Sequence, residues 1–238
     1  MVVGAIAIND IFYQLFTGAR PTDLIDLILG LSVFLIYNID RQIDNFISKN
    51  RDELHVFHAK YQMVLRGIIL CLSLFLGILL FRVEFPILQF GLGLGLLILL
   101  YWYGWVKHIF DRIWGSKEIL TALIYSVGVM LPTCAFAPFS MLLLGSIVEL
   151  FLLALLNLWL FTLISDGGQW RRWIVLAVCS FVGILALVYM ELPIGYMSIL
   201  LFIWGIHVGI YYFRARMPER YLGDLAFLSP LIYLICPL

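Results

Sequence analysis

Long apolar stretches separated by short polar ones run along the whole chain. Apolar runs of about 17–25 residues are the pattern of α-helices that cross a bilayer. The pattern predicts nine spans, at residues 1–19, 22–40, 61–81, 85–106, 118–137, 139–165, 172–190, 193–213 and 221–238. A transmembrane β-barrel is excluded, because its strands would show short segments of alternating polar and apolar residues.

The first predicted span carries two polar residues, Asn9 and Asp10, in its middle. Such groups are costly in a bilayer unless they face the protein interior or water. Three interpretations stay open: a functional Asp10, a structural contact inside the bundle, or a helix that lies at the membrane surface. The stretch has no basic start and no small-residue cleavage site, so we do not predict a signal peptide.

Composition agrees with a membrane protein. Hydrophobic residues make up 63% of the 238 residues and charged residues 13%, and the mean hydropathy is +1.04. A soluble domain of this size could not bury so much apolar surface. The net charge of zero gives no indication of nucleic-acid binding. The four cysteines lack metal-ligand spacing. We therefore predict an all-α polytopic membrane protein with a single domain over residues 1–238.

Lysine and arginine fix the predicted orientation, since they accumulate in cytoplasmic connections. The connections after spans two, four, six and eight hold thirteen of them: Arg41, Lys49, Arg51, Lys60, Arg66, Lys107, Arg112, Lys117, Arg171, Arg172, Arg214, Arg216 and Arg220. The opposite side holds Arg20 and Arg82. The bias predicts a cytoplasmic N-terminus and an external C-terminus, in the inner or plasma membrane.

Three glycines in the fourth span, Gly91, Gly93 and Gly95, follow no strand and precede no Lys-Ser/Thr, so they are not a phosphate loop. Small residues in a membrane helix let a neighbouring helix approach closely. The stretch therefore predicts close helix packing in this span.

The strongest candidate chemistry lies where the second span meets water. If the helix continues there, Asp40 and Asp44 lie one turn apart on one face. Carboxylates suit Mg²⁺, which typically binds one or two of them together with substrate phosphates. The pair therefore indicates a metal–diphosphate site at a membrane surface. The alternative is a group of interfacial charges that stops the helix from sliding inward.

Acidic and basic connections alternate along the chain. Asp40 and Asp44 follow span two, Lys107 follows span four, Asp166 follows span six, and Arg214 follows span eight. Taken singly, Lys107 is typical of a snorkelling interfacial lysine and Asp166 of a helix-terminating residue. Together they predict two pseudo-repeated halves of four helices, with a site at their junction.

These motifs resemble those of the UbiA superfamily of membrane prenyltransferases. Asp40-Arg41-Gln42-Ile43-Asp44 is similar to the second half of the family's first aspartate-rich motif. Tyr103, Lys107 and His108 resemble its YPxxKR element, and Asp166 stands for its second aspartate motif. The resemblance implies two helical halves around a central cavity, Mg²⁺ bound by Asp40, Asp44 and Asp166, and transfer of a prenyl group from a prenyl diphosphate to a hydrophobic or aromatic acceptor.

The same resemblance implies that Asn38, Arg41, Lys107 and His108 bind the diphosphate. The sequence also departs from the family pattern. Ile36 and Tyr37 replace the opening Asn-Asp, and Trp170 replaces the second carboxylate of the second motif. The missing carboxylates imply weaker metal binding, or loss of catalysis.

Two other functions stay open. The missing carboxylates favour a non-catalytic protein that binds an isoprenoid or another lipid. The repeated halves, with Asp10 and Glu149 inside apolar runs, favour a small-molecule transporter. A phosphatidyl-alcohol transferase is disfavoured, because its DGxxAR…GxxxDxxxD pattern is absent from the sequence.

Overall fold

A computed structural model describes residues 2–47, 60–107, 116–166 and 170–213, without the side chains of residues 45–47, 116 and 161–166. Every regular element in these ranges is an α-helix. The eight helices are α1 (Val2–Thr17), α2 (Asp23–Ile47), α3 (Gln62–Leu80), α4 (Phe85–Val106), α5 (Ser116–Phe136), α6 (Met141–Asp166), α7 (Trp170–Tyr189) and α8 (Ile194–Phe213).

The first eight predicted spans each correspond to one helix, and the ninth, residues 221–238, lies outside the described residues. The largest difference is at the end of α2, which continues to Ile47 instead of ending at residue 40. No glycine or proline occurs between residues 31 and 66, so nothing local breaks the helix where the chain becomes polar.

Six of the eight helices, α3 to α8, are long and apolar enough to cross a membrane, in a search limited to the described residues. Helix α1 has only 16 residues, and α2 carries charged residues at both ends. The chain is therefore an all-α protein with the helices of a multi-pass membrane protein.

One compact unit consists of α2, α3 and α4. Helix α2 packs against both α3 and α4. No residue of α3 is buried, and large apolar side chains such as Leu70, Leu74 and Ile78 are more than 60% exposed. This is the surface expected of a helix whose apolar faces contact lipid rather than water.

The glycines of α4 do not support the predicted close packing. A Cβ atom added at Gly91, Gly93 or Gly95 would meet no atom of the described chain within 4 Å. Among the described residues, no neighbour therefore packs closely on these three glycines. Close glycine contacts occur instead between α6 and α7, where an added Cβ would collide with Leu187 from Gly145 and with Glu149 from Gly183.

The other compact unit consists of α1 and α5 to α8. Helix α6 packs against α7 and α8, which also pack against each other. Leucines of α6, including Leu150, Leu153 and Leu156, are fully buried in this bundle. Two contacts of aromatic side chains join α7 to α8. Trp204 Nε1 donates to the Ala177 carbonyl at 3.0 Å, and the Trp173 and Tyr211 rings stack with their centres 4.2 Å apart.

Helix α1 belongs to this second unit although it comes first in the chain. Its residues Ala5, Ile8 and Phe12 are buried, and the Tyr13 ring contacts Phe136 of α5 at 6.1 Å. It is therefore a packed helix rather than a surface-lying one. The two observed units consequently do not coincide with two halves made of helices one to four and five to eight.

Candidate functional site

The acidic turn of α2 is fully helical. Asp40 and Asp44 lie seven and three residues before the helix ends at Ile47, so they are one turn apart on one face, as predicted from their spacing. Both residues are half-buried. Two like charges at this spacing destabilise a helix by about 0.2–0.5 kcal/mol, so groups that offset their charge decide whether the turn is stable.

Tyr101 of α4 provides one such group. Its hydroxyl donates to Asp40 Oδ1 at 3.2 Å, and the tyrosine side chain is only 6% exposed. Tyr101 lies six residues before Lys107, which directly follows the last residue of α4. The contact therefore brings the C-terminal ends of α2 and α4 to the same end of their unit.

Arg41 supplies positive charge within the acidic turn. Its guanidinium lies over the Tyr37 ring, 5.4 Å from the ring centre. Burial of the guanidinium acts to lower its pKa, but Tyr37, Asp44 and Asp40 outweigh burial, and the net pKa shift is upward. Arg41 therefore stays protonated and compensates part of the charge of the two carboxylates.

Asn38 and Lys107 differ in their exposure to the surroundings of the protein. Asn38 is 7% exposed, and its Nδ2 donates to the Phe34 carbonyl of the same helix at 2.8 Å. Because it lies two residues before Asp40, it projects from another side of the helix. Lys107 is exposed, and its backbone N–H donates to the Tyr103 carbonyl at 3.0 Å.

The remaining predicted site residues lie elsewhere. Asp166 ends α6, which belongs to the other compact unit, and its side chain is outside the described set. His108 also lies outside the described residues. The structure thus brings together Asp40, Asp44, Arg41, Tyr101 and the α4 end that carries Lys107.

The Asp40–Asp44 pair can be compared with the way in which proteins bind Mg²⁺. Across the described side chains, no three His, Cys, Asp or Glu residues come close enough to enclose a metal. Mg²⁺ does not require such a cage, because it keeps waters and binds one or two carboxylates together with phosphate oxygens. Asp40 and Asp44 fit that mode and do not form a closed structural metal site.

A second polar cluster lies in the α6–α7–α8 bundle; sequence reasoning noted Glu149 as an acidic residue in an apolar run but missed its partner Ser180 and the buried His207. Ser180 Oγ of α7 donates to Glu149 Oε1 of α6 at 2.5 Å. The second pair joins Asn157 of α6 to His207 of α8, with 3.2 Å between Oδ1 and Nε2. Glu149, Ser180 and His207 are at most 1% exposed, so these polar groups lie in the interior of the bundle.

His207 also contacts its own helix, with Nδ1 2.8 Å from the Ile203 carbonyl. In a neutral ring, donation from Nδ1 leaves Nε2 as an acceptor, and the Asn157 amide can match it by turning its NH₂ group toward the ring. The sequence did indicate this cluster, because a polar residue in the middle of a membrane span costs free energy unless it faces a partner in the protein interior. The pairing of the cluster's residues across helices was not encoded in any local spacing.

No protein-family model matches this chain, and neither a curated protein nor a solved structure matches it.

Proposed function

We propose that this chain is a divergent UbiA-like membrane prenyltransferase, which transfers a prenyl group from a prenyl diphosphate to a hydrophobic or aromatic acceptor. The observation that carries the proposal is the acidic turn of α2. Asp40 and Asp44 share one helix face, Asp40 is bonded to Tyr101 of α4, and the exposed Lys107 follows the end of α4, six residues after Tyr101. Carboxylates that can share a cation, and an exposed ammonium at the same end of the unit, match a diphosphate head group.

The finer architecture is part of this proposal. We propose nine spans in one domain, with two related halves around a central cavity and the acidic connections in the cytoplasm. The bias of thirteen lysines and arginines against two supports this orientation. The family resemblance adds Asp166 as a further Mg²⁺ ligand, and an apolar space between the helices takes the prenyl tail.

The proposed roles follow from the charges of the substrate. Bound Mg²⁺ would link the carboxylates to the diphosphate and take up part of its negative charge. Asp40 and Asp44 orient the head group, and Tyr101 holds the Asp40 carboxylate in place. Lys107, with Arg41 and His108, donates N–H groups to the diphosphate oxygens, where negative charge grows in the transition state. Asn38 is left out of this set, because it projects from another side of α2 and its Nδ2 donates to the Phe34 carbonyl.

The transfer itself is a substitution at the first carbon of the prenyl chain. The bond between that carbon and the diphosphate oxygen breaks, and its electron pair leaves with the diphosphate. A carbon of the acceptor supplies the pair for the new bond and afterwards loses a proton. Catalysis by the protein is then chiefly the positioning and electrostatic stabilisation of the leaving group.

The direct test follows diphosphate release and prenyl transfer by purified protein, using a radiolabelled prenyl diphosphate and Mg²⁺. Asp40→Asn keeps the size of the side chain and removes its charge, so turnover should fall about 10²–10³-fold, as it does when one stabilising group of a transition state is lost. Asp23→Asn is the matched control, because Asp23 is an exposed residue at the other end of α2. Equal turnover in the two variants would remove the proposed role of Asp40.

A non-catalytic isoprenoid-binding protein is the second candidate. The observation in its favour is the small number of carboxylates, since no cluster of three metal-ligating side chains occurs in the described part of the chain. This candidate predicts that the wild-type protein binds a prenyl diphosphate analogue but releases no diphosphate. Magnesium-stimulated release would exclude it.

A further inference from the structure

Glu149 is a buried carboxyl group near the middle of a membrane span. It is the ninth residue of the twenty-residue span Met141–Leu160 and is 1% exposed. Its compact unit is not the one that contains Asp40 and Asp44, and the proposed prenyl transfer gives it no role. Acidic residues are almost never fully buried without a partner, and inside a membrane protein they mark functional sites by default.

The two oxygens of this carboxyl group have different surroundings. Oε1 accepts the hydrogen bond from Ser180 Oγ at 2.5 Å. Oε2 is buried and has no hydrogen-bond partner among the described residues. Gly183, three residues after Ser180 on α7, leaves the space that Oε2 occupies, because a Cβ atom at this position would overlap it. Ser180 and Gly183 thus form one face of α7 that accommodates the carboxyl group.

Among the described residues of α7 and α8, no charged group compensates Glu149. The basic residues of α7, Arg171 and Arg172, lie in its first turn, about 12 Å along the helix axis from Ser180. The buried ionisable residue of α8, His207, is bonded to Asn157, two turns further along α6.

The carboxyl group must therefore be neutralised by something that it binds. A hard divalent cation such as Mg²⁺ or Ca²⁺ needs about six or more oxygen ligands, and Mg²⁺ takes several of them from water. This site offers three side-chain oxygens, two from Glu149 and one from Ser180, and both residues are at most 1% exposed, so water is not at hand to supply the rest. A proton needs a single oxygen lone pair, and Oε2 has one available. An isolated buried carboxylate is so costly that such a group takes up a proton instead.

We propose that Glu149, with Ser180 and Gly183 of α7, forms an intramembrane site that binds and exchanges a single proton. This is the chemistry of proton relays within membrane helices. The inference is independent of the proposed prenyl transfer, because none of its residues belongs to the acidic turn of α2.

The test uses the full-length protein in liposomes, with all six glutamates labelled with ¹³C at the δ-carboxyl carbon. Infrared spectroscopy then separates protonated from ionised glutamate side chains. At neutral pH, the site predicts one protonated carbonyl band, which shifts when the sample is moved from H₂O to D₂O because the proton exchanges. Spectra with only ionised bands, or a protonated band that does not shift in D₂O, would overturn the proposal.

Two variants assign the band. Glu149→Gln should abolish it, whereas Glu84→Gln should retain it, because Glu84 is exposed at the start of α4. A band that survives Glu149→Gln would also overturn the proposal. Should Glu149→Gln fail to fold, Ser180→Ala replaces it: loss of the hydrogen bond should shift the band without abolishing it, and an unshifted band counts against the site.

Discussion

At the residue scale, the acidic turn of α2 is stabilised by its neighbours in the folded chain. Asp40 and Asp44 repel each other, and the Arg41 guanidinium and the Tyr101 hydroxyl both offset that repulsion. A half-buried carboxylate that accepts a hydrogen bond keeps one orientation. The Asp40 carboxylate is therefore oriented before any cation or substrate arrives, and Asp44 lies one turn further on the same face.

The bond between Tyr101 and Asp40 gives the first prediction at this scale. Tyr101→Phe removes one hydroxyl group and should lower stability by about 1 kcal/mol, the net value of a typical hydrogen bond. Prenyl transfer should fall severalfold further, because the Asp40 carboxylate loses its fixed orientation. Thermal unfolding and turnover with a labelled prenyl diphosphate measure the two effects.

Tyr189→Phe is the matched control for this prediction. Tyr189 is 92% exposed at the end of α7, and its hydroxyl should contribute nothing to stability or turnover. If Tyr101→Phe behaves like Tyr189→Phe in both measurements, the hydrogen bond to Asp40 does not position the carboxylate.

The sequence predicted part of this site. The spacing of Asp40 and Asp44 was sufficient to predict that they share a helix face, because residues four apart in a helix lie on the same side. Tyr101 was not predicted, because aromatic residues make up 16% of the chain and nothing local distinguishes one that reaches across 61 residues to a carboxylate. Glu149 stood out as a charge in an apolar run, but its partner Ser180 is an ordinary serine until α6 and α7 are packed together.

At the element scale, apolar run length located the eight described helices, because spanning a bilayer requires about 20 apolar residues. Helix ends were less predictable. The charged residues after residue 39 indicated where the membrane surface begins, and α2 nevertheless continues to Ile47, since leaving the bilayer does not require the helix to stop. Close packing through glycine was predicted on α4 and occurs between α6 and α7, because glycine alone does not specify which neighbour approaches.

The α6–α7 interface gives a prediction about this packing. Gly183→Ala places a methyl group on the Glu149 carboxyl and should destabilise the protein by about 1–3 kcal/mol, the usual cost of overpacking. The methyl group also displaces the carboxyl group from Ser180. Thermal unfolding in detergent, followed by tryptophan fluorescence, measures the loss.

Two further variants distinguish a clash with the Glu149 carboxyl group from the general cost of an added methyl group in this interface. Gly145→Ala adds a methyl group to the same interface, where it meets the end of the Leu187 side chain at 2.8 Å, and we expect it to cost less because that end can rotate away. In a Glu149→Ala background, Gly183→Ala should lose most of its effect. Strictly additive costs would contradict the contact between Gly183 and Glu149.

At the scale of the whole molecule, composition and charge distribution carry the most information. Six helices that are long and apolar enough to cross a membrane establish the class of protein. The distribution of lysine and arginine adds a proposed orientation, which places the C-terminal ends of α2, α4 and α6 on the cytoplasmic side. The grouping of α1 with α5 to α8 could not be foreseen, because chain order does not determine which helices pack together.

Cysteine labelling tests the proposed orientation. In a variant without the four native cysteines, a single cysteine at Glu191 should react with a membrane-impermeant maleimide added to intact spheroplasts. A cysteine at Arg171, at the opposite end of α7, should react only after permeabilisation. Both positions are exposed. The reverse pattern would invert the orientation, and reaction at both positions in intact spheroplasts would show that α7 does not cross the membrane.

The central claim is that Asp40 and Asp44 hold a prenyl diphosphate through Mg²⁺. Its most direct measurement is the thermal stability of the purified protein with a non-cleavable prenyl diphosphate analogue, with and without Mg²⁺. When the free concentration of the analogue is 100 times its dissociation constant, its binding to the folded state adds about 2.7 kcal/mol to the free energy of unfolding. We predict that the wild-type protein gains stability only when Mg²⁺ and the analogue are both present, and that Asp40→Asn loses this gain while Asp23→Asn retains it. An equal gain in Asp40→Asn, or a full gain in excess EDTA, would contradict the account.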